Sequence, residues 1–180
     1  MKSNYYKFHF LILLLLFSAQ INFTQNNNTP PCSSIEAKQF DFWVGNWDIF
    51  WITQKGDTAY GNNNVEKILG GCVINENFIT KGPQPFNGKS YSVYNSVKKM
   101  WEQTWVDGTG AYMTFTGKFE NDKMTLSRQI RGKNNDVILQ RMVFYNITKD
   151  KLDWDWEASK DNGKTWQLNW RLHYIKHKKS

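Results

Sequence analysis

Beyond residue 45, apolar and polar positions alternate along almost the whole chain, and glycine, asparagine and aspartate interrupt the alternation about every ten residues. Side chains that switch sides at every step belong to half-buried β-strands. The pattern predicts ten strands, near 46–53, 63–69, 72–81, 88–95, 99–107, 110–119, 122–131, 136–147, 150–159 and 164–176. No apolar stripe of helical period and length follows the first 24 residues. The exception is one short turn at 34–39, with Ser34 placed to cap it.

The breaks are tight hairpin signals: Gly70-Gly71, Asp107-Gly108-Thr109-Gly110, Asn121-Asp122, Gly132-Lys133-Asn134-Asn135 and Asp161-Asn162-Gly163. Only the stretch from Gly82 to Gly88 is long enough for a lid or mouth loop. Sequential strands joined by short hairpins make an antiparallel up-and-down meander. A meander this long is expected to curl and close, because open edges invite pairing with other chains. The predicted fold class is all-β, a closed barrel of about ten strands with a short N-terminal helical turn.

The same alternation assigns the interior. Leu152, Trp154, Trp156 and Ala158 share a face opposite Asp153, Asp155 and Glu157. Trp166, Leu168, Trp170, Leu172 and Tyr174 share the next, and Trp101, Gln103 and Trp105 share one on the fifth strand. Six of the nine tryptophans point inward on this reading. Trp43, Trp47 and Trp51 read as core aromatics plugging one end. A barrel of this size holds its side chains and one small ligand.

The chain opens differently. Lys2 and Lys7 flank or precede an apolar run from Phe8 to Phe17, the layout of a secretory signal peptide. The run is about half the roughly 20 residues that a spanning helix needs. Residues 1–24 are therefore expected to be a signal peptide, 25–33 a flexible polar leader, and 34–177 one barrel domain. The expected location is periplasmic or extracellular, with no integral membrane segment after cleavage. Cys32 and Cys72 are the two cysteines. Export favours a disulfide between them over two free thiols, and closing that loop would remove about 4 kcal/mol of unfolded-state entropy. Without Lys2 and Lys7 the net charge falls from +7 to +5, spread along the chain apart from a short His177-Lys178-Lys179 cluster. Nucleic acid would need a basic stripe, so it is not an expected partner. The oligomeric state is not set by these features.

Two motifs bear on function. Ser159 to Trp166, SKDNGKTW, resembles the Asp-box hairpin of sialidase-type propellers. A propeller needs at least about four blades with the motif recurring, and here it occurs once, between the ninth and tenth strands. It reads as a turn staple: Asp161 accepts turn N–H groups, Gly163 takes positive φ, and Trp166 opens the next strand facing inward. The second motif, Phe40 to Asp48, FDFWVGNWD, resembles the opening of a bacterial family of secreted calycin-like (lipocalin-like) domains of unknown function. Further pieces match in order: Cys32-Ser33-Ser34, Gly61 and Asn63, Leu69 to Glu76, Gly88-Lys89-Ser90 with Tyr94, Trp101 to Gly108, Arg141, and Trp156 to Ser159. The resemblance covers about 32–175 and implies a calycin-like barrel and export, but no agreed activity. One departure is Asn162, where the family usually has glycine.

Candidate chemistry is sparse. Glu76 shares a face with Ile74 and Phe78, Arg128 with Met124, Leu126 and Ile130, and Arg141 with Leu139 and Val143. If these faces point inward, the interior holds one carboxylate and two guanidiniums, and buried charge must be paired. Either a Glu–Arg pair ties strands across the core, or a spare arginine holds an anionic ligand group. Gln103, between Trp101 and Trp105, is a polar anchor or a satisfied core amide. Ser90, Ser92 and Tyr94 share a face that would add hydroxyls, with Tyr91 and Val93 competing for the inside. The candidate ligand set is Glu76, Ser90, Tyr94, Trp101, Gln103, Trp105, Arg128, Arg141 and Trp156. No cofactor or metal site is expected. His173, on the polar face beside Arg171, is the only histidine between residue 9 and the tail, too few for a His-ligated zinc or a Ser-His-Asp triad, and its outward face argues against haem. The leading reading is a binder of a small, largely apolar molecule, with or without an anionic group. The alternatives are an enzyme using Glu76 as acid or base beside Arg128 or Arg141, and an outer-membrane barrel.

Overall fold

The computed structural model describes residues 30–178. The signal peptide expected at 1–24 and the leader as far as residue 29 lie outside the described residues. Ten strands follow in order: β1 (Gly45–Ile52), β2 (Thr58–Ile68), β3 (Val73–Thr80), β4 (Asn87–Asn95) and β5 (Met100–Asp107). Then come β6 (Tyr112–Glu120), β7 (Lys123–Arg131), β8 (Val137–Tyr145), β9 (Lys151–Ser159) and β10 (Gln167–Lys176). Each strand pairs antiparallel with its sequence neighbours, and β1 pairs with β10 to close the barrel. The up-and-down barrel expected from the alternation is the fold.

β2 departs most from its predicted span. It begins at Thr58 instead of 63, because Thr58 to Asn64 carry no apolar alternation. Pairing with β1 extends it regardless: Ile52 lies opposite Thr58, and the turn closes through Thr53 N–H to the Asp57 carbonyl at 2.8 Å. Partner strands override weak local preference.

One end is closed by the chain that precedes β1. Two 3-10 turns, Glu36–Lys38 and Asp41–Trp43, cross it, and Ala37 N–H donates to Ser34 Oγ at 3.2 Å. Phe40 is fully buried, with its ring 5.1 Å from Trp43, 5.1 Å from Trp101 and 5.3 Å from Phe144. Trp47 Nε1–H donates to the Trp43 carbonyl at 2.7 Å. Gly45 has φ +137°, a backbone conformation that calls for glycine, and a Cβ there would displace the Lys176 ammonium. Lys176 fills the gap, donating to the Val44 carbonyl at 2.6 Å and lying 4.2 Å over the Trp47 ring. The FDFWVGNWD stretch thus builds a plug and latches it to the last strand. Cys32 is bonded to Cys72, tying residues 30–33 to the 3-10 turn Leu69–Gly71 between β2 and β3. Trp51 is not part of the plug. β1 runs toward the other end, where Trp51 meets Trp170 edge-on at 5.4 Å.

The tenth strand also corrects the expected pattern. A bulge between Leu168 and Trp170 shifts the register by one residue, and a one-residue shift exchanges faces. Trp170, Leu172 and Tyr174 face inward. Leu168, opposite Glu157, and Trp166, stacked 3.8 Å from the Arg141 guanidinium, lie on the outer wall. The SKDNGKTW turn is stapled as its composition suggested. Asp161 accepts from the Thr165 N–H at 2.9 Å and the Thr165 hydroxyl at 2.6 Å, while Gly163 N–H donates to Ser159 Oγ at 2.8 Å. The Thr165 hydroxyl first, then the Thr165 N–H and the Ser159 hydroxyl, hold the Asp161 carboxyl down to about 2. Asn162 takes φ +57° and Gly163 +83°.

Outside, β8 to β10 carry the ion pairs Arg141–Glu157 and Arg171–Asp155, and His173 Nδ1 lies 2.7 Å from Asp153 Oδ1. Arg171 grips Asp155 with two bonds, at 2.8 and 2.6 Å. On these three strands the outer face is ionic and the inner face aromatic, the reverse of a lipid-facing barrel wall. Among the described residues no helix is long and apolar enough to cross a membrane.

Replacing Cys32 and Cys72 together by serine should lower the unfolding free energy by about 2–4 kcal/mol. The check is the denaturant midpoint at unchanged slope; a midpoint equal to that of the parent would show that the disulfide contributes nothing to the fold.

Candidate functional site

The interior does not fill completely. A cavity of about 350 Å³ opens toward the end opposite the plug, with Trp43 and Phe144 on its closed side and Phe86, Trp105 and Asp107 at its mouth. Its walls are aromatic rings set edge-on. Trp170 stands at 5.9 Å and 90° to Trp154 and at 5.9 Å and 89° to Phe78, while Phe115 meets Trp156 at 5.8 Å. Such contacts fix rings more firmly than burial alone.

The mouth is built by two turns. Phe86 N–H donates to Thr80 Oγ1 at 2.8 Å, which folds the loop at 81–86 so that Phe86 stacks on Trp105 at 6.3 Å. Trp105 lies over Gly88, where a Cβ would come within 2.0 Å of its ring. Its Nε1–H donates to Asp107 Oδ2 at 3.0 Å, and Asp107 Oδ1 accepts from the Thr109 hydroxyl at 2.6 Å. Those bonds hold the Asp107 carboxyl below its ordinary range.

Arg128 occupies a split in the wall. β6 and β7 pair only between Thr116↔Ser127 and Glu120↔Lys123, whereas β5–β6 pairing runs on to Tyr112 and β7–β8 pairing to Arg131. Arg128 and Phe115 stand where the two strands part, and both line the cavity. The guanidinium lies 5.4 Å from the Phe115 centroid and donates through Nε to Gln140 Oε1 at 2.7 Å. It has no ion-pair partner among the described residues.

Glu76 is the buried acid of the cavity. It is 6% exposed, accepts from the Ser90 hydroxyl at 2.6 Å through Oε2 and from Asn63 Nδ2 at 2.7 Å through Oε1. Asn63 Nδ2 is shared with the Tyr174 hydroxyl, 3.3 Å away. Burial pushes the Glu76 carboxyl up to about 7, with the two hydrogen bonds pulling the other way. Burial first, and the Glu76 charge second, push the Tyr174 hydroxyl well above its ordinary value.

Of the expected ligand set, Glu76, Trp105, Arg128 and Trp156 line the cavity, and Ser90 supports Glu76 from β4. The others stand elsewhere. Arg141 is on the outer wall, paired with Glu157 and stacked on Trp166. Its apolar neighbours Leu139 and Val143 are outward too, since Gln140, Met142 and Phe144 take the inside. The expected Glu–Arg tie across the core is therefore not formed. Gln103 is buried and donates to Ser92 Oγ at 2.8 Å, a core amide away from the cavity. Trp101 and Tyr94, 5.8 Å apart, belong to the packing around the plug. Ser90 and Ser92 are fully buried while Tyr91 is exposed, which settles that face.

Asn63, Phe86, Asp107, Gln140 and Tyr174 were not in the expected set. Extending the alternation back from Val65 would have put Asn63 on the inside. Phe86 carried no periodic signal, being in a loop. Neither family models nor curated proteins match this chain.

An unfolded glutamate ionises near 4.5 and Glu76 near 7. Between those values the unfolded chain has lost a proton that the native state keeps, so raising the pH across that window destabilises the fold, by about 3 kcal/mol in all. Denaturant midpoints measured from about pH 5 to 7.5 should fall in the parent and stay nearly flat in Glu76→Gln. Equal slopes in the two proteins would assign the titration to another group.

Proposed function

We propose that the protein is an exported calycin-like barrel that binds a small, largely apolar molecule in its aromatic interior. The observation that carries this reading is the open cavity of about 350 Å³, walled by tryptophan and phenylalanine in an otherwise packed barrel. That is the low end of the range for small-molecule sites, about 300–1,000 Å³, and the volume of roughly a dozen waters. Arg128, steered by Gln140, supplies a fork for an anionic group on such a molecule. Export is supported by the Cys32–Cys72 bond, which suits an oxidising compartment, and by the N-terminal pattern. Kinship with the calycin-like family is supported by the structural work done by the FDFWVGNWD residues at the plug.

A second reading keeps the cavity and makes Glu76 a general acid or base. Its support is a carboxyl titrating near 7 in a site that also holds Arg128. The two readings separate at Glu76→Gln, which abolishes turnover in an enzyme and leaves a binder able to bind.

Tryptophan fluorescence titrated with 2-naphthoate tests the binder. Quenching should saturate, and Arg128→Met should weaken binding by about tenfold, equivalent to about 1.4 kcal/mol. Unchanged affinity in Arg128→Met would remove the anion from the proposal, and absence of saturable quenching with both 2-naphthoate and neutral 2-naphthol would remove the ligand.

A further inference from the structure

The carboxyl of Glu76 lacks a charged counterpart. Its two oxygens are met by a hydroxyl and an amide, both neutral, and no lysine, arginine or histidine among the described residues comes within ion-pair distance. A purely structural tie between β2, β3 and β4 at this position would be served by glutamine, which matches the same two partners without a charge to bury. We propose that the cavity takes a ligand bearing a protonated amine, which pairs with the Glu76 carboxylate while the aromatic walls enclose the rest of the molecule. The inference rests on the reading of this cavity as a ligand site and names the chemistry of its inner end.

One acceptor beside Glu76 is left without a donor. Asn63 Nδ2 serves both Glu76 and Tyr174, while Asn63 Oδ1 is buried with no donor. An ammonium brings three N–H donors and no acceptor, which is the complement of that arrangement. Two nearby donors, the Trp43 Nε1–H and the Tyr174 hydroxyl, also lack an acceptor, and neither bonds a Glu76 oxygen. The walls suit the same charge. Trp43, Trp154, Trp170 and Phe78 line the cavity with Glu76, and ring faces attract cations most where water is excluded.

The other charges of the cavity do not supply the missing partner. Arg128 stands at the β6–β7 split, engaged with Gln140 and Phe115, and forms no ion pair with Glu76. Asp107 lies at the mouth with its oxygens bonded to Trp105 and Thr109. Packed against Glu76 are Asn63 on β2, Ser90 on β4 and Tyr174 on β10. Of these only Tyr174 titrates, far above neutrality. Proton exchange on binding therefore belongs to Glu76: an incoming ammonium stabilises its carboxylate, and the carboxyl proton leaves to solvent.

Calorimetric titration of the native protein with 2-phenylethylamine and with neutral 2-phenylethanol tests this, in two buffers of different ionisation enthalpy at about pH 6 and pH 8. The amine should bind at least about tenfold more tightly than the alcohol at pH 8, with the gap narrowing at pH 6. At pH 6 amine binding should release a large fraction of one proton, and alcohol binding none. In Glu76→Gln the preference should vanish while the alcohol still binds. The proton release is read on the parent protein and needs no variant to fold. Equal affinity for amine and alcohol, or a preference that survives in Glu76→Gln, overturns the amine and leaves the apolar cavity standing. Failure of both probes to bind at millimolar concentration overturns the cavity reading and the amine with it.

Discussion

The pairing of β1 with β10 is the contact on which the rest of the molecule depends. A ten-stranded meander left open would present two unpaired edges and no interior, so the cavity exists only because Trp47 comes to lie beside Lys176 and Phe50 beside His173. Lys176 strengthens that seam from inside the closed end, bonding to Val44 and covering Trp47 in the space that Gly45 leaves vacant. Because the seam joins the first strand to the last, it is the least local contact in the fold and the most demanding in chain entropy. The plug and the Cys32–Cys72 bond act on the same problem, fixing the approach to β1 against the hairpin turns that surround it.

Closure divides the interior into two unlike halves. β2 to β5 contribute a polar stripe of Asn63, Glu76, Ser90, Ser92 and Gln103, all buried. β6 to β10 contribute the aromatic and apolar side chains Phe115, Met142, Trp154, Trp156 and Trp170, with the Arg128–Gln140 pair where β6 and β7 part. The small serines leave room for the longer polar chains, and hydrogen bonds run along the stripe from strand to strand. Asn63 Oδ1 and Gln103 Oε1 still lack donors. A core selected for stability alone would not keep the Glu76 carboxyl and the orphan Asn63 carbonyl oxygen in this position. Their presence beside an aromatic hollow is what separates this barrel from a simply packed one.

Much of the architecture was legible because it depends on local signals. Hairpin residues and period-two alternation gave all ten strands, the closed topology, and the inward set on β5 and β9. What escaped depends on contacts between distant segments. The bulge at Leu168 and Trp170 turns Trp166 outward, and nothing in the alternating run announces a one-residue slip. Arg141 read as interior because Leu139 and Val143 are apolar, although all three sit on a wall where Trp166 covers the guanidinium. Glu76 stood out by its apolar neighbours, yet its partners Asn63 and Tyr174 come from β2 and β10, and only the closed barrel brings them together. Phe86, which roofs the mouth, sits in the long loop where periodicity carries no information.

The most direct test of the central claim, that the aromatic cavity is a ligand site, is native mass spectrometry of the protein purified without denaturation from the cells that make it. The account predicts a second, heavier species, exceeding the bare chain by a small molecule of about 150–300 Da that the volume of such a site admits and that denaturation releases. A folded protein recovered only at the mass of its bare chain, under conditions gentle enough to preserve weak complexes, would contradict it.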